Sequence, residues 1–490
     1  MQSDLHTFIH SLSQNEKRYF KLQASLGFEE SRKNYWHLYE LILGQRNYNE
    51  QQIKLKLGST RFAQQKKHLE EKLLDSLRSF HGGKSMVELV NRELSNYHIY
   101  STKGLYKRAG KCLKRAEELA RRFELYPELL RILEDSIPLI TQTAAPKLIR
   151  EQIQIIRQEI PIIQEKMDLS LLIQQEYLYF ITLNKENEFL RRTEDAQNAL
   201  KLVEQLENKI CNKSIPAIAK CYFQYLTGLC FFLCGRFKES QKAFREELQV
   251  FEQFPMLKTA YADLYNRSLG NNALLAISLN QIKQLDSLFS SVSLIDLTGT
   301  SNKTNDLRNY LLRLRLYVKQ ANWFNAAQYI QANQIALITS EHQSSLKTES
   351  DYILFDTLRV YLELHEYRKA RQLLHRFLSE TDATLKTDNY VMARIIFVLL
   401  HLQQEETELA ESEWKSLKRF IRKNNRELTF ETQTLKFLSK LISNPSPEKQ
   451  QQTIRLFVKE LEQLKSQAEG QMTLFCFDLS DWLIGLKLTN

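Results

Sequence analysis

Apolar side chains recur every three or four residues along most of this chain. Between Phe237 and Phe251 they form one continuous stripe, and such spacing puts them on a single face of an α-helix. The preceding residues, 221–234, are mostly apolar and end at Gly235, a residue type that favours the left-handed backbone conformation closing a helix. The pattern therefore predicts a helical hairpin over residues 221–251.

One spacing, with steps of six, three and four residues, occurs at five places. An aromatic residue or histidine lies near the end of a first helix, and a second residue, usually aromatic, opens the next. A small residue then lets the two helices approach closely, and a large one fills the following gap. The five copies are Tyr100, Tyr106, Ala109, Leu113; Phe231, Phe237, Ser240, Phe244; Tyr317, Trp323, Ala326, Ile330; Tyr361, Tyr367, Ala370, Leu374; and, more weakly, His401, Thr407, Ala410, Trp414.

These hairpins resemble the tetratricopeptide repeat, whose pattern also has small residues at the positions of Gly228 and Gly235. The resemblance covers residues 90–425, with repeats longer than usual. It implies an all-α fold in which hairpins stack into a right-handed solenoid with an extended concave face, since each hairpin buries its apolar surface only against its neighbours.

Three parts are predicted along the chain. Residues 1–83 form a small helical bundle, residues 84–442 the hairpin array, and residues 443–490 capping helices. The sequence HGGK at 81–84 is the predicted hinge. Near the start, Ser13-x-x-Glu16 has the form of a capping box that opens a helix. After Gly470, a strongly apolar stretch predicts a closing helix that covers the last hairpin.

Composition supports long helices. The 490 residues include only 13 Gly and 8 Pro, and so few helix breakers favour helices joined by short turns. No run approaches the roughly 20 apolar residues of a membrane-spanning helix, and the N-terminus lacks the order of a signal peptide. The six cysteines contain no CxxC pair, which is typical of a reducing cytoplasm.

The net charge of +10 is unevenly distributed, because residues 51–125 alone sum to +9. Residues 48–80 have the form of a helix–turn–helix around Gly58-Ser59-Thr60. The basic residues that follow recur at helical steps, and they offer contacts to a phosphate backbone. An ordinary solvated helix with Glu117 and Glu118 as counter-charges is the alternative. The basic residues concerned are Lys103, Lys107, Arg108, Lys111, Lys114 and Arg115.

A second candidate surface follows from the resemblance, which implies that the position two residues before the first-helix aromatic faces a ligand. That position holds Arg315 and Arg359, and Arg308 lies two turns before Arg315. With Tyr352 and Phe355 nearby, these guanidinium groups suit an acidic peptide or a C-terminal carboxylate. The alternative is pairing with local acids, namely Asp306, Asp351, Asp356 and Glu363.

Other chemistry is weakly indicated. Cys230 and Cys234 lie one helical turn apart, as do His6 and His10, but neither pair has further ligands at metal-site spacing, so buried thiols and packing or surface histidines are favoured. No phosphate loop, dinucleotide fingerprint or catalytic motif is present. We therefore expect no metal or cofactor.

The sequence favours a non-catalytic scaffold that binds a protein or peptide along the concave face. The alternative is a regulator linked to nucleic acid, in which the basic N-terminal third contacts DNA or RNA and the repeats sense a partner. The sequence does not specify an oligomeric state.

Overall fold

The computed structural model describes most of the chain as helices joined by short turns, and every element of regular structure in the described residues is a helix. None of these helices combines the length and the apolar character needed to cross a bilayer. The residues described are 4–25, 29–58, 61–81, 86–187, 189–281, 303–333, 347–380, 387–444, 446–465 and 467–486.

The chain divides into two compact units, residues 1–167 and 168–490. This division is coarser than the three parts expected from the sequence, which stay a prediction. Most of the hinge expected at 81–84 and two residues of the Gly58-Ser59-Thr60 turn lie outside the described residues.

The helices of the first unit are short at the N-terminus and longer after residue 60. The last of them continues past the division between the units. Their bounds are α1 Asp4–Ser11, α2 Gln14–Ser25, α3 Glu29–Leu43, α4 Glu50–Leu57, α5 Phe62–His81, α6 Met86–Thr102, α7 Tyr106–Arg122, α8 Tyr126–Thr143 and α9 Pro146–Glu186.

Local signals set several of these boundaries. The capping box is confirmed: the Glu16 carboxylate accepts from the Ser13 amide at 2.7 Å, and the Ser13 hydroxyl accepts from the Glu16 amide at 3.3 Å. Asn49 caps the N-terminus of α4, and Gly58 ends that helix with a positive φ of 60°. One apolar core fills this N-terminal bundle, and a second core lies under α6, α7 and α8.

The second unit contains the remaining four predicted hairpins. Its helices are α10 Thr193–Ile210, α11 Ala217–Leu233, α12 Phe237–Gln253, α13 Met256–Ala260, α14 Ala262–Ser278, α15 Lys303–Lys319, α16 Trp323–Asn333, α17 Lys347–Glu363, α18 Tyr367–Glu380, α19 Thr387–Gln403, α20 Thr407–Lys423, α21 Thr429–Ser443, α22 Pro447–Lys465, α23 Ala468–Thr473 and α24 Leu479–Gly485.

The five repeated motifs are helix–turn–helix hairpins joined by one type of turn. In each, the second helix begins at the second motif residue. The residue four after the first anchor has a positive φ between 52° and 71°. The amide one further on donates to the carbonyl of the anchor at 2.8–2.9 Å, which is the closing bond of a Schellman motif. The six-residue step between the first and second motif residues is thus the length of this turn.

The small third residue of every motif is buried where the two helices meet. Ala109, Ser240, Ala326, Ala370 and Ala410 are all 0% exposed. In the hairpin of α11 and α12, the Ser240 hydroxyl donates to the Gly228 carbonyl at 2.7 Å. A methyl group on Gly228 would meet the Phe244 ring at 2.9 Å, so this hairpin needs its glycine for close approach.

Consecutive helices pack against their neighbours in both units, as α6 does on α7, and α11 on α12. The right-handed solenoid stays a prediction. The closing helix expected after Gly470 is wrong as a single element, because residues 474–478 separate α23 from α24. Asp478 causes the new start: its side chain accepts from the Asp481 amide at 3.2 Å and caps α24.

A buried ion network connects distant parts of the second unit. Arg191 contacts Glu431 at 2.5 Å and Asp388 at 2.9 Å, and it lies 3.4 Å from Glu469 in α23. Arg426 also pairs with Asp388. Buried charges of this kind are tolerated when they are paired, and the contact with Glu469 ties the start of the C-terminal segment, residues 467–486, to this network.

Candidate functional site

The structure places Arg315 inside the protein, where Asp356 holds it. The Nε atom of Arg315 lies 2.9 Å from Asp356 Oδ2, and Nη2 lies 3.1 Å from Oδ1. Both side chains are at most 5% exposed. Burial lowers the pKa of Arg315, but Asp356 more than offsets this and the pKa stays above its ordinary value. Pairing with a local acid, the alternative left open above, is the arrangement found.

The other two groove arginines also have carboxylate partners. Arg359 lies 2.8 Å from both Glu363 and Asp481. Arg308 lies 2.9 Å from Glu349. These guanidinium groups are therefore already engaged by carboxylates of the same chain.

The C-terminal segment occupies the surface that these residues form. Arg315 donates long bonds, 3.5 Å and 3.4 Å, to the carbonyls of Phe475 and Cys476, and Arg359 donates to the Asp478 carbonyl at 3.2 Å. Arg315 and Arg359 thus hold a peptide segment, but it belongs to this chain.

Aromatic side chains add to the packing of the C-terminal segment on this surface. The Tyr352 ring lies 5.7 Å from the Phe475 ring, and the buried Phe355 ring lies 6.4 Å from that of Phe477. The Arg315 guanidinium lies 5.1 Å from the centre of the Tyr352 ring. Tyr352 and Phe355 are therefore core residues, 3% and 0% exposed, and they pack against the segment rather than face solvent.

A different polar group in the second unit has no such covering segment among the described contacts. We name it the tyrosine–arginine cluster. It comes from the end of α9 and from α11, α14 and α15, and it comprises Tyr177, Tyr222, Tyr225, Arg267, Asn271 and Arg308.

Three tyrosine rings form one wall of the tyrosine–arginine cluster. Tyr177 lies 4.9 Å from Tyr222 and 5.5 Å from Tyr225, both edge to face. Asn271 donates to the Tyr225 hydroxyl at 3.4 Å. Burial raises the pKa of Tyr222 and of Tyr225 to about 12, so these hydroxyls stay protonated and act as hydrogen-bonding groups.

Arg267 provides the charge of the tyrosine–arginine cluster. Its Nη1 donates to the Tyr177 hydroxyl at 3.2 Å, and Arg267 makes no ion pair with any carboxylate in the described residues. Burial lowers its pKa, but Tyr225 and Tyr177, and after them the carboxylates of Asp263 and Glu349, keep the pKa above its ordinary value. A half-buried guanidinium with one neutral partner has donors left to offer a ligand.

Glu247 is fully buried, close enough to Tyr177 of the tyrosine wall to influence its pKa. Neither of its carboxyl oxygens has a hydrogen-bond partner in the described residues. Burial raises the pKa of Glu247 well above its ordinary value, and the nearby Ser268 hydroxyl, which donates to the Leu264 carbonyl, opposes this. Burial therefore favours the neutral carboxylic acid form of Glu247.

The basic residues predicted in the first unit share one exposed surface. We name it the basic face; it lies on α7 and the turn before it. None of its six members makes an ion pair within the described residues, and Glu117, the expected counter-charge, pairs with Arg121 instead. All six are exposed: Lys103, Lys107, Arg108, Lys111, Lys114 and Arg115.

The remaining candidate residues from the sequence have contacts that indicate a structural role. Cys230 and Cys234 are buried in the core of the α11 hairpin. The His6 and His10 rings lie 4.3 Å apart, and His6 bonds to the Gln45 carbonyl. No group of three or more potential metal ligands converges among the described residues.

The sequence pointed to Arg308 but not to the rest of the tyrosine–arginine cluster. The reason is that α14 lacks the motif that occurs at five other places in the chain. It nevertheless ends in the same turn, because Asn280 has a positive φ of 56° and the Gln281 amide donates to the Ala276 carbonyl. One local signal was present, because Arg267 and Asn271 are four residues apart and therefore lie on one face of α14.

Comparisons with protein-family models, with curated proteins and with solved structures found no match to this chain. The all-helical fold and the side-chain arrangements described above are therefore the basis for assigning a function.

Proposed function

We propose that this protein is a non-catalytic cytoplasmic scaffold, a right-handed solenoid that binds a protein or peptide partner through the tyrosine–arginine cluster. The observation that carries the proposal is the Arg267 guanidinium, which donates to a tyrosine hydroxyl and makes no ion pair with a carboxylate of the described residues. Guanidinium groups match carboxylates in shape and charge. Tyrosine and arginine are also the residue types that dominate binding energy at protein interfaces. The six free thiols fit a reducing compartment.

The C-terminal segment indicates what kind of partner this surface suits. Arg315 and Arg359 hold carbonyls, phenylalanine rings and Asp481 of that segment. The tyrosine–arginine cluster repeats this chemistry with arginines beside aromatic rings. We therefore assign the partner as a peptide that carries an aromatic residue close to an acidic side chain or a C-terminal carboxylate.

Selection from a displayed random-peptide library against the full chain tests this proposal. Enriched peptides should combine an aromatic residue with a carboxylate, and they should lose binding to Arg267→Gln. Arg313→Gln is the matched control, because Arg313 is an exposed arginine of α15 outside the tyrosine–arginine cluster. Failure to enrich such peptides, or equal binding by Arg267→Gln, would contradict the proposal.

A second function is favoured by the basic face, whose six cations have no ion-pair partner in the described residues. Unpaired surface cations at helical spacing suit a phosphate backbone. We propose DNA or RNA binding by the first unit as the alternative function. It does not involve the tyrosine–arginine cluster.

Fluorescence anisotropy with short DNA and RNA duplexes and single strands separates the two functions. Reversal of Lys107, Lys111 and Lys114 to Glu should abolish nucleic-acid binding, whereas reversal of three exposed lysines of the second unit should not. The logarithm of affinity should fall linearly with the logarithm of salt concentration, by roughly 0.9 per phosphate contact. Salt-independent binding, or binding that survives the reversal, would exclude the basic face. The control lysines are Lys201, Lys242 and Lys415.

A further inference from the structure

A cavity of about 470 Å³ lies in the second unit where several helix ends meet the C-terminal segment. It has the size of pockets that hold small organic ligands. Its walls include the first turn of α12 and the last residues of α14, α15 and α22. We name it the lysine pocket, after Lys238, Lys319 and Lys465 on its wall.

The charge lining the lysine pocket is not balanced. Arg236 pairs with Glu239 at 2.8 Å, and Lys465 pairs with Asp478 at 2.9 Å. These two pairs account for both acids on the wall. Lys238 and Lys319 make no ion pair in the described part of the chain, so the wall carries two more cations than acids.

Lys319 is exposed as a residue, but its ammonium group is partly desolvated at the end of α15. Desolvation first, and then the charge of Arg315, lower the pKa of that ammonium group, while Asp478, Asp356 and Asp481 oppose this. Asp356 is already engaged by Arg315, and Asp481 by Arg359. An anion next to Lys319 would favour the protonated form of its ammonium group.

The other walls add a paired cation and an apolar surface. The N-cap residue of α12, Arg236, makes no capping hydrogen bond to the first-turn amides; its guanidinium donates to the Glu239 carboxylate instead. The Phe237 and Phe475 rings lie 4.9 Å apart on the wall. The lysine pocket thus combines cations with aromatic rings.

We propose that the lysine pocket binds a small organic anion, a phosphate or carboxylate attached to an apolar group, with Lys319 and Lys238 at the anion and Phe237 and Phe475 against the apolar part. This site is separate from the tyrosine–arginine cluster and does not depend on the partner assigned there. The two anion types share one chemistry, and the experiment below distinguishes them.

Titration calorimetry of the full chain with phenyl phosphate, 3-phenylpropionate and uncharged 2-phenylethanol tests the site. At least one of the two anions should bind saturably and more tightly than the alcohol, and the tighter one identifies the anion type. Lys319→Gln should weaken that binding by about tenfold or more, since it removes a charge-assisted contact. Lys242→Gln, which changes an exposed lysine of α12, should bind as the wild type does.

Three results would overturn the proposal: no saturable binding of either anion, equal binding of the alcohol, or unchanged binding by Lys319→Gln.

A second measurement needs no variant. In limited acetylation followed by mass spectrometry, Lys319 of the wild-type chain should react faster than Lys242 because its pKa is lowered. Saturating anion should protect Lys319 and leave Lys242 unchanged; equal acetylation of Lys319 with and without anion would count against the site.

Discussion

The Ser240 hydroxyl donates a hydrogen bond of 2.7 Å to the Gly228 carbonyl, joining the two helices of one hairpin in a buried position. This bond requires the helices to be close. A methyl group on Gly228 would reach the Phe244 ring at 2.9 Å, and Phe244 is 1% exposed, so it lies in a close-packed core. The Ser240 hydrogen bond therefore needs the two helices close together, and this close approach needs glycine at position 228.

We expect Gly228→Ala to lower the free energy of unfolding by about 1–3 kcal/mol, the usual cost of overpacking. Chemical denaturation monitored by circular dichroism measures this. Gly110→Ala is the control: it lies inside α7, and its methyl group would be 3.5 Å from Leu139, an ordinary contact. There alanine should be neutral or stabilising by about 1 kcal/mol. A neutral Gly228→Ala would show that the helices are not this close.

The shared turn makes a second prediction. Ala321 and Glu405 adopt positive φ values of 52° and 61° at the turn position where Gly104 and Gly235 stand in other hairpins. Glycine avoids the steric cost of this conformation, about 1–2 kcal/mol for other residues. Ala321→Gly and Glu405→Gly should each raise the free energy of unfolding by about 0.5–1 kcal/mol.

Gly104→Ala is the reverse experiment at the same turn position. Nothing lies within 4 Å of the added methyl group, so only the backbone conformation opposes it, and stability should fall by about 1 kcal/mol. If all three changes gave losses, helix propensity rather than the positive φ would determine stability at these turns.

The buried pair of Arg315 and Asp356 makes a third prediction. Asp356→Ala leaves a buried guanidinium without its carboxylate and should cost about 3–5 kcal/mol. Arg315→Met should also destabilise, and the double variant should cost clearly less than the sum of both. A double-mutant cycle measured by denaturation gives this coupling. Additive losses would mean that the two residues act independently.

Glu247 makes the stability of the second unit depend on pH. Because its pKa is raised above the ordinary value of 4.5, the native state keeps the proton at pH values where the unfolded chain has lost it. The free energy of unfolding therefore falls as the pH rises from about the ordinary value to the raised one. Glu247→Gln should remove this fall and become the more stable form at the upper end.

Melting temperatures of both proteins across the pH range test this. Glu246→Gln is the control, because Glu246, the residue next to Glu247, is partly exposed and paired with Lys242. This variant should retain the wild-type pH profile. Parallel pH profiles for the wild type and Glu247→Gln would show that Glu247 is solvated or paired in solution.

The hairpins were predictable because their signals are local. The step from Tyr361 to Tyr367 equals the length of one turn, and the burial of Ala370 follows from helix spacing. The state of Arg315 was not predictable, because the sequence does not show which acid reaches it or that Phe475 and Cys476 lie over it. These contacts join residues 41 and about 160 positions apart, and only the tertiary fold brings them together.

The central claim is that the Arg267 guanidinium receives a carboxylate of the partner peptide. Titration calorimetry in a double-mutant cycle tests it directly, with the wild type and Arg267→Gln against a selected peptide and the same peptide with its carboxylate changed to an amide. We predict a coupling of about 1.5–3 kcal/mol between the two changes, as for a hydrogen bond to a charged group. Additive effects, with the amide peptide losing equal affinity for both proteins, would contradict the account.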